Sequence, residues 1–224
     1  MKRYLGQVGV LVACVALAGA LAGAASAGKG DPKKAYTAAD QALARSIALR
    51  LSDFPAGWTG KVSKDTGSRL SCKGFEPDLS DLTKTGRASS PDFSLKQATV
   101  SSKIDVFKTV AQTRDAWDRV VKPGLLTCLT SLLKRGGESG GDVKVNILSA
   151  GERPYQRLAE QAASYRIVAS FESAKEKVKF NAYFDLFLLR NGRTLAAMFF
   201  YRFPQEFDQA LEGSLVGKVA GLKD

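Results

Sequence analysis

Ser131 and Lys134 stand three residues apart in Ser-Leu-Leu-Lys, a spacing that on a helix sets an amine beside a hydroxyl and would arm a serine nucleophile for acyl transfer. Lys84-Thr85-Gly86 matches the Lys-Thr-Gly element that accompanies such a pair. The order of the two is reversed, however, the intervening Ser-Asp-Asn is absent and the chain is short for that architecture, so both matches are read as chance. Glu76, Asp78 and Asp81 bring three carboxylates into one short stretch, enough for a weak calcium site, but the spacing fits no EF-hand loop and a solvated acidic turn is the simpler reading. Arg135 to Gly141 is glycine-rich without the Gly-Lys-Ser/Thr ending or the preceding strand of a phosphate-binding loop, and reads as a connector. Ser149 and Ser164 have no base near them in the pattern.

The chain contains no histidine. That excludes Ser-His-Asp and Cys-His nucleophiles and histidine-based zinc sites, because histidine is both the side chain that titrates near neutrality and the commonest metal ligand. No catalytic residue, metal or cofactor is expected. An exported hydrolase working with carboxylates alone is the enzymatic outsider.

The cysteines indicate where the chain works. Lys2 and Arg3 precede an uncharged run from Val8 to Ala24, and Ala25-Ser26-Ala27 has the small-x-small pattern of a signal-peptidase site, so residues 1–27 read as a signal peptide. Leu11-Val12-Ala13-Cys14 matches a lipobox by type, and the run is about long enough to be retained as an anchor, so those two alternatives stand beside cleavage. Cleavage removes Cys14 and leaves Cys72 and Cys128 as the one pair in an oxidising, extracytoplasmic compartment, where they are expected to form a disulfide. It also leaves 31 basic residues against 22 acidic ones, a net charge of +9. For an exported protein such a charge favours envelope polymers or anionic lipid surfaces. The basic residues show no interleaved aromatics, and nucleic acid is not an expected partner.

Residues 28–36 read as a charged, mobile linker, and residues 37–224 as a single domain. Thr37 looks like a helix N-cap, with Leu43, Ile47 and Leu51 at helical spacing up to about Ser52 and a stop before Phe54-Pro55. Residues 59–98 read as long loops around short strands. Val100, Ser102, Ile104 and Val106 alternate with more polar residues and predict a strand with one wetter face. Thr113 opens a second helix bearing Trp117, broken at Lys122-Pro123-Gly124 and resuming through Cys128 and Leu132. Val143 to Ile147 marks a strand. A meander follows, at about 163–171, 178–190 and 193–202, and Pro204 starts a closing helix with Phe207, Leu211, Leu215 and Val219 at four-residue steps. Glu206, Asp208 and Glu212 sit early in that helix and Lys218 late, as the helix dipole prefers. The fold class is α+β: an antiparallel sheet with a C-terminal meander, packed against N-terminal, middle and C-terminal helices, with one disulfide.

Asn191-Gly192 is a hairpin signal that predicts Arg190 opposite Arg193. One face of the meander then carries Tyr165, Ile167, Ala169, Phe171, Phe180, Ala182, Phe184, Leu186, Leu188, Phe199 and Tyr201, a core face. The other carries Arg166, Asn181, Tyr183, Asp185, Phe187, Leu189, Met198, Phe200 and Arg202, neither wholly polar nor wholly apolar. Apolar walls with a few orienting polar groups are what a ligand site offers, and Arg166, Asn181, Tyr183, Asp185, Met198, Phe200 and Arg202 are the candidate ligand-binding residues. A second core layer with Asp185 and Arg166 as a structural ion pair is the competing reading. A hairpin loop pairing Phe171 with Val178 puts Arg166 diagonal to Asp185, and a two-residue slip puts them directly opposite.

The order of features carries a resemblance. Asp53-Phe54-Pro55-Ala56-Gly57-Trp58 after the first helix, Cys72, Thr85-Gly86-Arg87-Ala88-Ser89-Ser90, Val100-Ser101-Ser102, Ala116-Trp117, Cys128-Leu129, Asp185 and Arg190-Asn191-Gly192-Arg193 together resemble secreted actinobacterial proteins of unknown function and, more distantly, the extracellular sensor domain of PknH-type mycobacterial kinases. The resemblance implies an antiparallel α+β fold with a cleft for a ligand. Those kinase domains carry two disulfides and a tether to a kinase, whereas this chain has one cysteine pair and no kinase. The function expected is a secreted, non-enzymatic, sensor-like domain of the cell envelope binding a small molecule or envelope component. An envelope interaction protein on anionic polymers or lipids, and a lipid or lipoglycan carrier, are the alternatives.

Overall fold

The computed structural model describes residues 30–62, 72–139, 143–156, 158–173 and 175–221; the expected signal segment, with Cys14, lies outside them. Helix α1 spans Ala38–Ile47, and the Thr37 hydroxyl accepts the Asp40 amide at 3.2 Å, satisfying a donor that the first turn leaves orphaned. The helix ends before Ser52 because other elements claim its continuation. The Leu49 amide donates to the Ser102 hydroxyl at 3.0 Å and the Lys218 amine to the Ala48 carbonyl at 2.9 Å, after which Leu51–Asp53 forms a single 3₁₀ turn.

Among the described residues nine strands build one sheet: β1 (Lys33–Lys34), β2 (Thr59–Lys61), β3 (Thr83–Ser89), β4 (Asp92–Leu95), β5 (Ala98–Phe107), β6 (Val143–Glu152), β7 (Gln161–Ser173), β8 (Val178–Asn191) and β9 (Thr194–Arg202). The order is β1-β3-β5-β9-β8-β7-β6, with β4 sharing an edge of β5 and pairing β2. Every pairing is antiparallel except β1 with β3. Lys33 and Lys34, expected in the linker, are thus a paired strand. Strand β5 lacks the wetter face expected of Thr99, Ser101, Lys103 and Asp105: Thr99, Ser101 and Asp105 are buried too, because β5 lies inside the sheet with side chains packed over both faces.

Helix α2 (Val110–Val120) is capped by Thr109, four residues before the expected Thr113, and α3 runs Pro123–Ser139 through what was read as the start of a glycine-rich connector. The glycines serve packing there. A Cβ on Gly137 would lie 2.0 Å from a Val145 methyl, so the bare backbone lets α3 seat directly on β6. Helix α4 (Gln209–Ala220) begins at an Asp208 cap rather than at Pro204 and ends at Gly221, whose φ of 80° is the left-handed conformation that glycine adopts at helix ends.

The helices split between the two faces of the sheet. On one, Trp117, Leu125, Cys128 and Leu129 of α2 and α3 pack on Tyr165, Ile167, Phe184 and Leu186, all members of the expected core face. Cys72 and Cys128 meet in this layer as a disulfide pair, Cα atoms 5.4 Å apart. On the other face, Ala44, Phe54, Trp58, Phe93, Phe207, Leu215 and Val216 pack on Phe187, Leu189, Ala196, Met198 and Phe200. Fully burying side chains of this size contributes about 1.5–3 kcal/mol each. Helices α1 and α4 are therefore anchored on the same face as the candidate site residues.

Candidate functional site

Register decides which side chains meet. Between β7 and β8, Phe171 pairs with Phe180 and Arg166 with Asp185, the directly opposed arrangement. Between β8 and β9, Asn191 pairs with Thr194, not Arg190 with Arg193, and Gly192-Arg193 are the two turn residues. Gly192 takes the positive φ of 50° that the first central position of a II′ turn demands. Freed from the ladder, Arg193 reaches α1 and donates to both Asp40 carboxylate oxygens at 3.0 and 2.6 Å. The change from the expected register is two residues, so every side chain keeps its face.

That face changes character along β8. At one end three rows run straight across the strands. Lys144, Glu172 and Lys179 form the first, Asn146, Ser170 and Asn181 the second, and Ser149, Val168, Tyr183 and Arg202 the third. Asn181 is exposed, and Tyr183, Arg202 and Asn146 are half-buried. Among the described residues the side chains of Asn146, Asn181, Tyr183 and Arg202 make no hydrogen bond or ion pair. Further along, Phe200 and Met198 have no exposed surface and sit in the packed layer under α1 and α4, so they form a floor rather than an open wall. The competing reading holds for that half of the face.

Between the two halves lies a chain of charges. Asp185 is 1 % exposed and receives Arg166 through Nε at 2.7 Å and Nη2 at 2.9 Å. Arg166 donates also to Glu206 from the segment before α4. Arg153, in the segment after β6, places Nη1 2.6 Å from Glu212 and 3.7 Å from Asp185. Glu212 is likewise 1 % exposed, and its second oxygen has no hydrogen-bond partner among the described residues. Burial, reinforced by the negative charge of Asp185 and opposed by Arg153, pushes the Glu212 carboxyl up to about 7. The dipole of α4 favours a charge in its first turn by roughly 0.3–1 kcal/mol, which is smaller than the desolvation that wins here. Hydrogen bonds to Asp185 hold the Arg166 guanidinium firmly protonated.

Sequence reasoning missed Arg153, Glu206 and Glu212 as members of this cluster. One signal was present for Glu212: it falls three and four residues before the buried Leu215 and Val216, a carboxylate on the apolar stripe of a helix. Arg153 carries no such signal, since only the end of the β6–β7 ladder brings it over the face.

The chemical motifs are dispersed. The Ser131 hydroxyl donates to the Thr127 carbonyl at 2.8 Å and Lys84 is bound to Asp105 at 2.7 Å, on different elements. Asp81 is held by Arg119. Among the described residues no group of three or more metal-ligating side chains converges, and no helix is long and apolar enough to cross a membrane.

No family model and no curated protein matches the sequence. Among solved structures, the fold is similar to the extracellular domain of PknH from Mycobacterium tuberculosis, with 7% sequence identity and a TM-score of 0.41 over 81% of this chain and 95% of that one.

Proposed function

We propose that the protein is an extracytoplasmic, sensor-like domain of the cell envelope that binds a ligand on the mixed face of β6–β9 and performs no chemistry. The observation that carries this reading is the third row: Tyr183 and Arg202 lie side by side, half open to solvent and without partners among the described residues, on strands held rigid by a core on each face. Side chains that offer an aromatic ring, an amide and a guanidinium fork without spending them on the fold are suited to orienting a ligand. Asn181 adds the amide, Arg166 and Asp185 fix the edge of the surface, and Met198 and Phe200 stiffen it from below. Native mass spectrometry of the protein purified from its own cells tests this. The wild type is expected to carry a bound mass that the combined Asn181→Ala, Tyr183→Ala and Arg202→Ala variant loses. A mass retained by that variant, or none on either protein, sinks the reading.

A second reading rests on Lys144 and Lys179, which flank Glu172 in one row, and on Arg202 two rows along the same surface. This would hold the domain to an anionic envelope polymer or lipid surface. Such binding falls steeply as salt rises, whereas a hydrogen-bonded small ligand is much less affected.

A further inference from the structure

Beyond the opposite end of that face, at the edge of β7, lies a cavity of about 330 Å³ that is lined from both faces of the sheet. It exists because β6 and β7 part company. Their last pair is Glu152 with Tyr165, beyond which the Arg153 amide still donates to Ser164 at 2.8 Å while β7 runs on to Gln161 beside β8 alone. The space left alongside is bordered by the small side chains of Ala162 and Ala163, and Trp117 of α2, Tyr155, Tyr165 and Phe187 bring four aromatic rings to its walls. Glu152 and Arg153 supply the charges.

We propose that this cavity binds a small organic cation, an alkylammonium or quaternary ammonium group, held among the rings of Trp117, Tyr155 and Tyr165 with Glu152 as its counter-charge. Size is the first argument, since the volume falls at the small end of the roughly 300–1,000 Å³ typical of ligand sites. The aromatic lining is the second, because ring faces carry partial negative charge and attract a desolvated cation. One ring already does so: the Arg153 guanidinium sits 5.9 Å from the centre of Tyr155, which packs edge-on to Phe187 at 4.7 Å.

Local charge is the third argument. Arg153 and Arg166 are the two cations of the cluster, against the carboxylates of Asp185, Glu206 and Glu212, and Glu152 adds a further carboxylate to the cavity from the other side of the β7 edge. In a chain of net charge +11 this corner is acidic. An anion entering here would meet that excess, and Arg153 is already committed to Glu212 and Asp185. A cation would relieve it. The second Glu212 oxygen, which has no hydrogen-bond partner among the described residues, fits a cluster short of positive charge. This site is independent of the polar rows around Tyr183.

The test titrates the whole folded chain with choline, with its neutral carbon isostere 3,3-dimethylbutan-1-ol and with the carboxylate 3,3-dimethylbutanoate. The readout is the two indole N–H signals, of Trp58 and Trp117, in NMR spectra. Choline is expected to move the Trp117 signal and spare Trp58, and the neutral isostere to bind about tenfold more weakly. Glu152→Gln, an exposed position whose change leaves the fold alone, and Tyr155→Leu should each weaken choline severalfold. Arg202→Ala should not. Equal binding of the neutral isostere, tighter binding of the carboxylate, a Trp117 response undiminished in both variants, or no response to choline at about 100 mM overturns the proposal.

Discussion

Arg166 lies directly opposite Asp185 across β7 and β8 and takes both of its carboxylate oxygens, at 2.7 and 2.9 Å. The guanidinium keeps a partly solvated edge, with 19 % of its side chain exposed, while the carboxylate is sealed at 1 %. Such a pair is not by itself strong evidence of stability, since desolvating the charges offsets most of their attraction. Breaking it is another matter, because the guanidinium then keeps only Glu206 as a partner while most of it stays out of water.

Asp185→Ala is therefore expected to destabilise the protein by about 3 kcal/mol or more, since it leaves Arg166 with Glu206 alone and removes the buried carboxylate 3.7 Å from Arg153. Urea unfolding at pH 7 measures this. A cost below about 1 kcal/mol would mean that water reaches the site freely and that the cluster is a solvated surface.

Glu212 predicts an unusual pH dependence. Its carboxyl is raised from 4.5 to about 7 in the folded protein, so below pH 4.5 it is protonated in both states and contributes no slope. Between 4.5 and 7 the unfolded chain releases the proton that the folded chain keeps, and stability falls as pH rises, by up to about 3 kcal/mol, then levels off. Glu212→Gln should gain on the wild type across that interval and in no other. Parallel stability curves for the two proteins from pH 4 to pH 8 would contradict the assignment.

How much of this was legible follows from what each signal depends on. Alternation is local, so the two faces of the meander could be read residue by residue, from Tyr165 and Phe184 on one to Asp185 and Phe200 on the other. Capping is local too, and Thr37 marked α1 correctly. Register is less so: the same Asn191-Gly192 dipeptide supports two turns one residue apart, and Arg193 settles the choice by leaving the ladder for Asp40 on α1, far off in sequence. Helix α3 ran on past Gly136-Gly137 because Val145 of β6 needs the bare backbone, which propensity alone reads as a break. The charge cluster was half visible. Asp185 and Arg166 are neighbours by strand pairing, whereas Arg153, Glu206 and Glu212 arrive from a loop and a helix whose docking no spacing encodes.

The cysteine pair makes a simple prediction. With Cα atoms 5.4 Å apart and both residues buried, alkylation of the unreduced folded protein should label neither Cys72 nor Cys128. Replacing both with serine should cost about 4 kcal/mol in the chain-entropy account, for a separation of 56 residues. Labelling of either thiol under denaturing, non-reducing conditions would rule the bond out.

Asp40 ties the first helix to the last hairpin, and its electrostatics predict where acid begins to unfasten the domain. Hydrogen bonds from Arg193 first, then from Thr85, hold its carboxyl down at about 2, despite burial. A carboxylate depressed in the folded state stabilises it above the unfolded value near 3.8, and the contribution fades as pH falls through 2. Because 38 % of the Arg193 side chain is open to solvent, the pair is partly screened, and about 1–2 kcal/mol is the scale to expect. The position leaves no room for repair, since β3 comes so close that a Cβ on Gly86 would sit 2.3 Å from the Asp40 carbonyl oxygen. Asp40→Asn keeps the shape and the Thr37 cap while removing the charge. It should lower stability by that amount at pH 7 and match the wild type near pH 2. A deficit that persists unchanged into acid would assign the loss to packing of α1 on β3, and the ion pair would then contribute nothing.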